Sequence, residues 1–135
     1  MTILELIQHN SYTTILKFKN TDIAEIGVAK AQYTADTFQT FYNRIGKVDG
    51  MINGGFFGGG ASTAWCEGQK LREDNKRGFG IAIPRSRTTY EFRALLDTGE
   101  WDALGAVPFL VFNGNKQSYT VDADFEAVHP RSAIG

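Results

Sequence analysis

The sequence predicts an α+β fold, in which a mixed or antiparallel sheet is accompanied by one main amphipathic helix. Short runs of alternating polar and apolar residues recur along the chain, as is typical of strands. Helical spacing of apolar residues is found in one segment, and 15 glycines against three prolines suit tight turns in a sheet-rich domain. A chain of 135 residues with 42% hydrophobic content can bury one core, so we expect residues 1–135 to form a single domain.

The first part of the chain is predicted to form three strands. Alternation over residues 3–8 and 12–18, with turn residues 9–11 between them, indicates a hairpin. Residues 23–29 are predicted to form the third strand.

A helix and a buried strand are predicted next. Apolar residues take helical spacing over residues 34–45, and Gly46 is placed to end the helix. Residues 47–53 are expected to form a buried strand, because the helix before them needs a sheet to pack on.

The second half is predicted to contain a long loop and two hairpins. Residues 58–76 are polar and glycine-rich, which favours a loop or flap. Residues 78–83 and 88–93 are expected to pair across a turn. The sequence Asn-Gly between residues 107–112 and 117–121 is a strong hairpin signal.

Charge and cysteine content exclude several classes of protein. A net charge of −1, from 14 basic and 15 acidic residues, provides no field for nucleic acid or an anionic membrane surface. The single Cys66 cannot form an internal disulfide or a cysteine-based zinc site. The N-terminus has no secretory signal pattern and no stretch is long enough to span a bilayer, so we expect a cytoplasmic or virion-associated protein rather than a secreted one.

Three motifs in order resemble the phosphodiester glycosidase family. They are Asn-Gly-Gly-Phe-Phe at residues 53–57, a Gly-x-x-Pro-x-Leu-Val-x-Asn-Gly hairpin within residues 103–114, and His-Pro-Arg-Ser-Ala-Ile-Gly at residues 129–135. The resemblance covers about residues 51–135. It implies hydrolysis of the bond between an anomeric carbon and a phosphate in a sugar 1-phosphodiester, without a cofactor or a metal.

The chain departs from the family pattern after the last motif. Family members continue through another strand, a helix and an Asp-Gly-Gly-Gly-Ser motif that contributes to the same pocket. We therefore expect this chain to be the N-terminal part of a longer polypeptide, or one piece of a cleaved protein whose C-terminal remainder is a binding partner.

The candidate substrate-binding residues come from the first and last motifs. Asn53 is expected at a strand end, where its amide can donate to a sugar hydroxyl or a phosphate oxygen, and Gly54 and Gly55 let a ligand approach the backbone. Arg131 offers a planar, permanently charged fork to two phosphate oxygens. A simple turn at Asn53 and a surface charge at Arg131 are the alternatives.

The candidate catalytic residues are Glu67, Asp74 and His129. Glycoside cleavage usually needs two carboxylates, and Glu67 is preferred to Asp74 among those of the flap. His129 is placed to move a proton or to donate to the phosphate, or else to hold a turn. Cys66 as a nucleophile with His129 as base is less favoured than a packed cysteine.

Two functions of different classes remain open at this point. The first is a hydrolase of sugar 1-phosphodiesters, completed by the C-terminal remainder. The second is a binding module that recognises a sugar phosphate or nucleotide sugar without cutting it, within a phage or cell-surface assembly. Fold-family resemblance transfers activity only as an analogy.

Overall fold

The computed structural model describes residues 4–31, 36–54, 63–72, 80–93, 96, 99–105, 111–112, 114–116 and 134. Within these ranges the secondary-structure elements, in chain order, are β1 (Glu5–Asn10), β2 (Thr13–Lys17), a 3₁₀ turn (Asn20–Asp22), α1 (Phe38–Ile45), β3 (Ala64–Cys66), β4 (Gln69–Arg72), β5 (Gly80–Ile83), β6 (Glu91–Arg93), β7 (Asp102–Gly105), β8 (Val111–Phe112) and β9 (Asn115–Lys116).

The main sheet has five strands in the order β4-β3-β7-β5-β6. β1 pairs with β2 and β8 with β9 in two separate hairpins. Every strand pair in the described residues is antiparallel. The α+β class is confirmed: in the part of the chain that the structure describes, one α-helix accompanies antiparallel sheets. No helix among the described residues has the length and apolar character needed to cross a membrane.

Strand register divides the main sheet into two faces. Leu104 of β7 pairs with Ala64 and Ile81, whereas Ala103 pairs with Trp65 and Ala82. Successive side chains of a strand point to opposite faces, so these two sets lie on opposite sides. We call them the Asp102 face and the Ala103 face, since Asp102 shares the side of Leu104.

Each face has its own apolar cluster. The clusters are Val28, Cys66, Ile81 and Ile83 on the Asp102 face, and Trp65, Ala82, Leu96 and Ala103 on the Ala103 face. Partly buried Leu104 packs against the first cluster. Both clusters are made largely from the three central strands, which therefore form the best-buried part of the described chain.

A segment that we call the strap, residues 25–30, crosses the Asp102 face. Its Ile26 N–H donates to the Arg87 carbonyl at 2.7 Å, and its Lys30 Nζ donates to Gln69 Oε1 at 3.2 Å. Gly27 allows the close approach, because a Cβ there would lie 3.2 Å from both Arg87 Nε and Asp102 Oδ2. The predicted strand at 23–29 is therefore wrong: the segment packs across a sheet face, where no continuous ladder forms.

Helix α1 ends as predicted but packs differently. The Thr37 side chain accepts the Thr40 N–H at 3.2 Å, and Gly46, with φ of 93°, donates to the Tyr42 carbonyl at 3.0 Å. Local capping thus defines the observed helix, whose first residue is Phe38 rather than residue 34. Residues 34–35 of the prediction lie outside the described residues.

The predicted buried strand at 47–53 is also wrong, because this segment forms no ladder and Ile52 is 45% exposed. Part of it instead lines a groove of about 260 Å³ beside the helix, with Phe38, Tyr42, Val48, Gly50 and Met51 around it. Phe38 and Tyr42 of the helix face this segment, and Phe38 stays 54% exposed.

Three hairpin predictions are confirmed and one loop prediction is wrong. The pairs β1/β2, β5/β6 and β8/β9 form where the turn signals place them; the predicted strand at 117–121 lies outside the described residues. The predicted loop at 58–76 contains the hairpin β3/β4, and Trp65 and Cys66 are buried in the sheet. The strand β7 was not predicted as such.

Truncation of an isoleucine should lower the free energy of unfolding much more in the main sheet than in the β1/β2 hairpin. Ile83 is 2% exposed in β5, whereas Ile15 is 41% exposed in β2. We expect Ile83→Ala to lower the free energy of unfolding by about 2–5 kcal/mol. Ile15→Ala, the same change in a strand with less buried area, should cost far less. Equal losses in urea denaturation of the two variants would contradict this placement of the core.

Candidate active site

The site is organised around Asp102, the first residue of β7, whose side chain is 0% exposed. Its Oδ1 accepts the backbone N–H of Glu67 at 2.8 Å, and its Oδ2 accepts the Nε–H of Arg87 at 2.7 Å. A buried carboxylate is tolerated when both oxygens have donors and a cation is beside it. Asp102 meets both conditions.

Arg87 connects Asp102 to two exposed carboxylates. Its Nη1 lies 3.3 Å from Glu25 Oε1 and its Nη2 lies 3.6 Å from Glu67 Oε1. The hydrogen bond to Asp102 raises the pKa of Arg87 above its usual value, against the opposing effect of burial. Glu67, Arg87 and Asp102 thus form a closed circuit of contacts, which we call the Asp102 ring.

Two members of the ring have strained backbones. Glu67 has φ of 53° and Arg87 has φ of 56°, and they are the non-glycine residues with positive φ in the described part of the chain. Glu67 and Gly68, also with positive φ, are the two central residues of the β3/β4 turn, which matches the twist of a two-residue hairpin. A bulky residue in this conformation costs on the order of 1–3 kcal/mol, and such strain is concentrated at functional sites.

Asn53 and Gly54 lie on the same face as the ring. A Cβ on Gly54 would come within 2.9 Å of Leu104 Cδ1, so the chain passes directly over this side chain. Leu104 and Asp102 are two residues apart on β7, about 7 Å along the strand. The structure therefore brings the Asn53–Gly54 segment and Glu67 to one side of the sheet. Asn53 itself is exposed, as its predicted role requires.

The other predicted site residues lie outside the described residues. These are Gly55, Asp74, His129 and Arg131. Glu67 is the predicted catalytic residue that the structure describes, and its side chain is 67% exposed. Its assignment to a flap is wrong in one respect, since it occupies a tight turn of the main sheet rather than a long loop.

An aromatic ring and a second guanidinium adjoin the Glu67 turn. The Gly68 N–H donates to the Trp101 carbonyl at 2.7 Å, and a Cβ on Gly68 would lie 3.2 Å from the indole. The guanidinium of Arg85 stands 4.9 Å from the centre of the same indole. A carboxylate, an aromatic ring and a cation therefore meet at this end of the sheet.

Sequence reasoning missed Arg87 and Asp102. The sequence places Arg87 in the turn between two predicted strands. Its ion pair with Asp102 could not be predicted, because local sequence does not identify the partner. A signal for Asp102 does exist: it is one charge inside the apolar run Trp101 to Leu104. A charged residue within such a run has to be paired if the run is buried.

Cys66 has the environment of a packed residue. Its thiol donates to the Val28 carbonyl at 3.1 Å, under the strap. Burial, followed by the negative charges of Asp102 and Glu67, raises the pKa of this thiol. Both effects disfavour the thiolate, so the structure supports the packed cysteine over the nucleophile.

Within the ranges that the structure describes, no group of three or more His, Cys, Asp or Glu side chains is arranged to hold a metal ion. Comparison of the chain with protein-family models, with curated proteins and with solved structures finds no match. The family resemblance of the three motifs therefore stays a prediction.

Thiol reactivity tests the environment of Cys66. A raised pKa means that less thiolate is present at any pH below that pKa, so we expect the folded protein to react slowly with a disulfide reagent at pH 8. The same protein in guanidinium chloride should react at the rate of an ordinary cysteine. Fast labelling of the folded protein, with circular dichroism unchanged, would show that the thiol is not packed under the strap.

Stability measurements should rank Asp102 and Glu25, two of the three acidic partners of Arg87. Asp102→Ala leaves the Glu67 amide and the Arg87 guanidinium without their buried acceptor, and we expect a loss of about 3 kcal/mol in the free energy of unfolding. Glu25 is 70% exposed, so Glu25→Ala should cost less than about 1 kcal/mol. Similar losses in chemical denaturation would mean that Asp102 is not the central partner.

Proposed function

We propose that this chain carries an active site that hydrolyses sugar 1-phosphodiesters. The observation that supports the proposal most strongly is the position of Glu67. Its carboxylate is exposed, its backbone is held in a strained conformation by buried Asp102, and it shares a sheet face with Asn53 and Gly54. An exposed carboxylate on a rigid support is the kind of group that glycoside cleavage needs.

Glu67 is proposed to stabilise positive charge at the anomeric carbon. Cleavage passes through an oxocarbenium-like transition state, which a nearby carboxylate favours. The departing phosphate monoester has a second pKa of about 6, so it leaves without a strong general acid. Asp74 is the alternative carboxylate, and His129 would assist by donating to the phosphate.

The remaining predicted residues would bind the substrate. Arg131 is proposed as the phosphate clamp and Asn53 as a partner of sugar hydroxyls, with Gly54 and Gly55 giving access to the backbone. The indole of Trp101 lies next to the Glu67 turn with the Arg85 guanidinium 4.9 Å from its centre, and it adds an aromatic side chain of the kind common in ligand sites.

One observation favours the second candidate, a module that binds a sugar phosphate or a nucleotide sugar without cutting it. Asp102 and Glu25 are the carboxylates that share Arg87 with Glu67 in the described residues, and both face its guanidinium. Neither is therefore placed as the second carboxylate of a glycosidase. Glu67 would then serve as an acceptor for sugar hydroxyls.

The two candidates are separated by an assay for turnover and binding. The protein is incubated with N-acetylglucosamine and mannose 1-phosphodiesters, and the released reducing sugar is measured beside calorimetric binding. If the chain is a hydrolase, we expect released reducing sugar. Binding of the same compounds with no released sugar supports the module, and absence of both contradicts the two candidates. Native mass of the active material shows whether a companion fragment accompanies the 14.9 kDa chain.

Substitution of Glu67 tests its catalytic role. Glu67→Gln keeps the shape and the backbone hydrogen bond to Asp102 but removes the negative charge, so we expect kcat to fall at least about 100-fold. Glu5→Gln is the matched control, since Glu5 is an exposed strand carboxylate paired with Lys17 at 3.8 Å. A Glu67→Gln enzyme with the kcat of the control would exclude Glu67 from the chemistry.

Arg131→Ala should abolish turnover without unfolding the protein. Wild-type activity in that variant would remove the proposed phosphate clamp.

A further inference from the structure

We propose that Asp102 and Arg87 are positioning residues, which hold the carboxylate of Glu67 in the orientation that the reaction requires. The inference rests on the proposed function for the role of Glu67. It adds the residues that keep this exposed side chain in one orientation. Neither residue needs to touch the substrate for this role.

Asp102 fixes the backbone of Glu67. Its Oδ1 accepts the Glu67 N–H at 2.8 Å, and β7 lies between β3 and β5 in the sheet. The acceptor is therefore attached to a central strand with a fully buried side chain, which leaves it little freedom. Together with the bond from the Gly68 N–H to the Trp101 carbonyl, it holds a non-glycine residue at φ of 53° in a turn that glutamate alone would disfavour.

Arg87 fixes the side chain of Glu67. Its Nη2 lies 3.6 Å from Glu67 Oε1, while its Nε is bonded to Asp102 Oδ2. The guanidinium plane is rigid, so an anchored Nε also sets the direction of Nη2. The backbone of Arg87 is tied at both groups, since its N–H donates to the Pro84 carbonyl at 2.9 Å and its carbonyl accepts from Ile26.

The ring also sets the charge that a substrate meets. Asp102 and Glu67 carry two negative charges against the one positive charge of Arg87, so the ring has a net negative charge. A positive centre developing at the anomeric carbon is favoured there. Because the donors are fixed before the substrate binds, little reorganisation is needed during the reaction.

The test uses two ring variants and two controls. Asp102→Asn can keep its one oxygen as the acceptor for the Glu67 amide, which places its NH2 donor opposite the Arg87 guanidinium. Arg87→Lys keeps the charge but loses the fork. Glu25→Gln removes an Arg87 contact outside the ring. Arg93→Gln removes an ion pair with Glu100 and controls for lost stability, because Arg93 lies on the Ala103 face by register.

We expect kcat to fall at least about tenfold in both ring variants, with KM within about threefold of wild type. The Glu67 amide, followed by NMR, should shift in both variants and exchange faster with solvent. The two controls should keep the kcat of the wild type and the Glu67 amide signal. This pattern separates positioning from a general loss of stability, because Arg93→Gln also loses an ion pair but should keep the kcat of the wild type.

Two results would overturn the inference in distinguishable ways. Wild-type kcat in Asp102→Asn and Arg87→Lys removes the positioning role and leaves the proposed function in place. Absence of turnover in the folded wild-type protein overturns the proposed function, and the catalytic purpose of the ring with it. If Asp102→Asn does not fold, Arg87→Lys decides between these results.

Discussion

The burial of one carboxylate determines much of this structure. Asp102 stands in the central strand of the sheet with no exposed surface, so its charge and both of its oxygens have to be satisfied by the protein. A guanidinium and a backbone amide do this. Each of these donors belongs to a turn or loop, which is thereby held at the start of β7. The strap is held there as well, because Arg87 pairs with Glu25 and its carbonyl accepts the Ile26 N–H.

The polar group and the apolar core on this face support each other. Cys66 and Ile83 exclude water beside Asp102, which strengthens the ion pair, and the ion pair holds the strap that covers Cys66 through Val28. Gly27 makes the arrangement possible by leaving room for the Arg87 side chain. In the described residues, no buried side-chain nitrogen or oxygen lacks a partner. The face is thus satisfied in both its polar and its apolar contacts.

Local signals in the sequence predicted local structure, and the long-range parts were missed. The hairpins β1/β2, β5/β6 and β8/β9 and the end of α1 depend on turn and cap residues that lie within them. The β3/β4 turn was missed because it places Glu67 at positive φ, a conformation that Asp102 supports from a distant strand. For the site, Glu67 was found as an acidic residue near the motifs. Its partners could not be found, since no local pattern links Arg87 to Asp102.

The separation of the ring residues along the chain has a consequence for folding kinetics. Glu67 and Asp102 are 35 positions apart, and Arg87 is 62 positions from Glu25, its partner outside the ring. Closing such long loops costs entropy that only the assembled sheet repays, so non-local contacts of this kind form slowly. The β3/β4 hairpin can pair early, but its turn acquires its final shape only when β7 docks beside it. The backbone of Glu67 therefore reaches its native geometry near the end of folding, together with the native sheet.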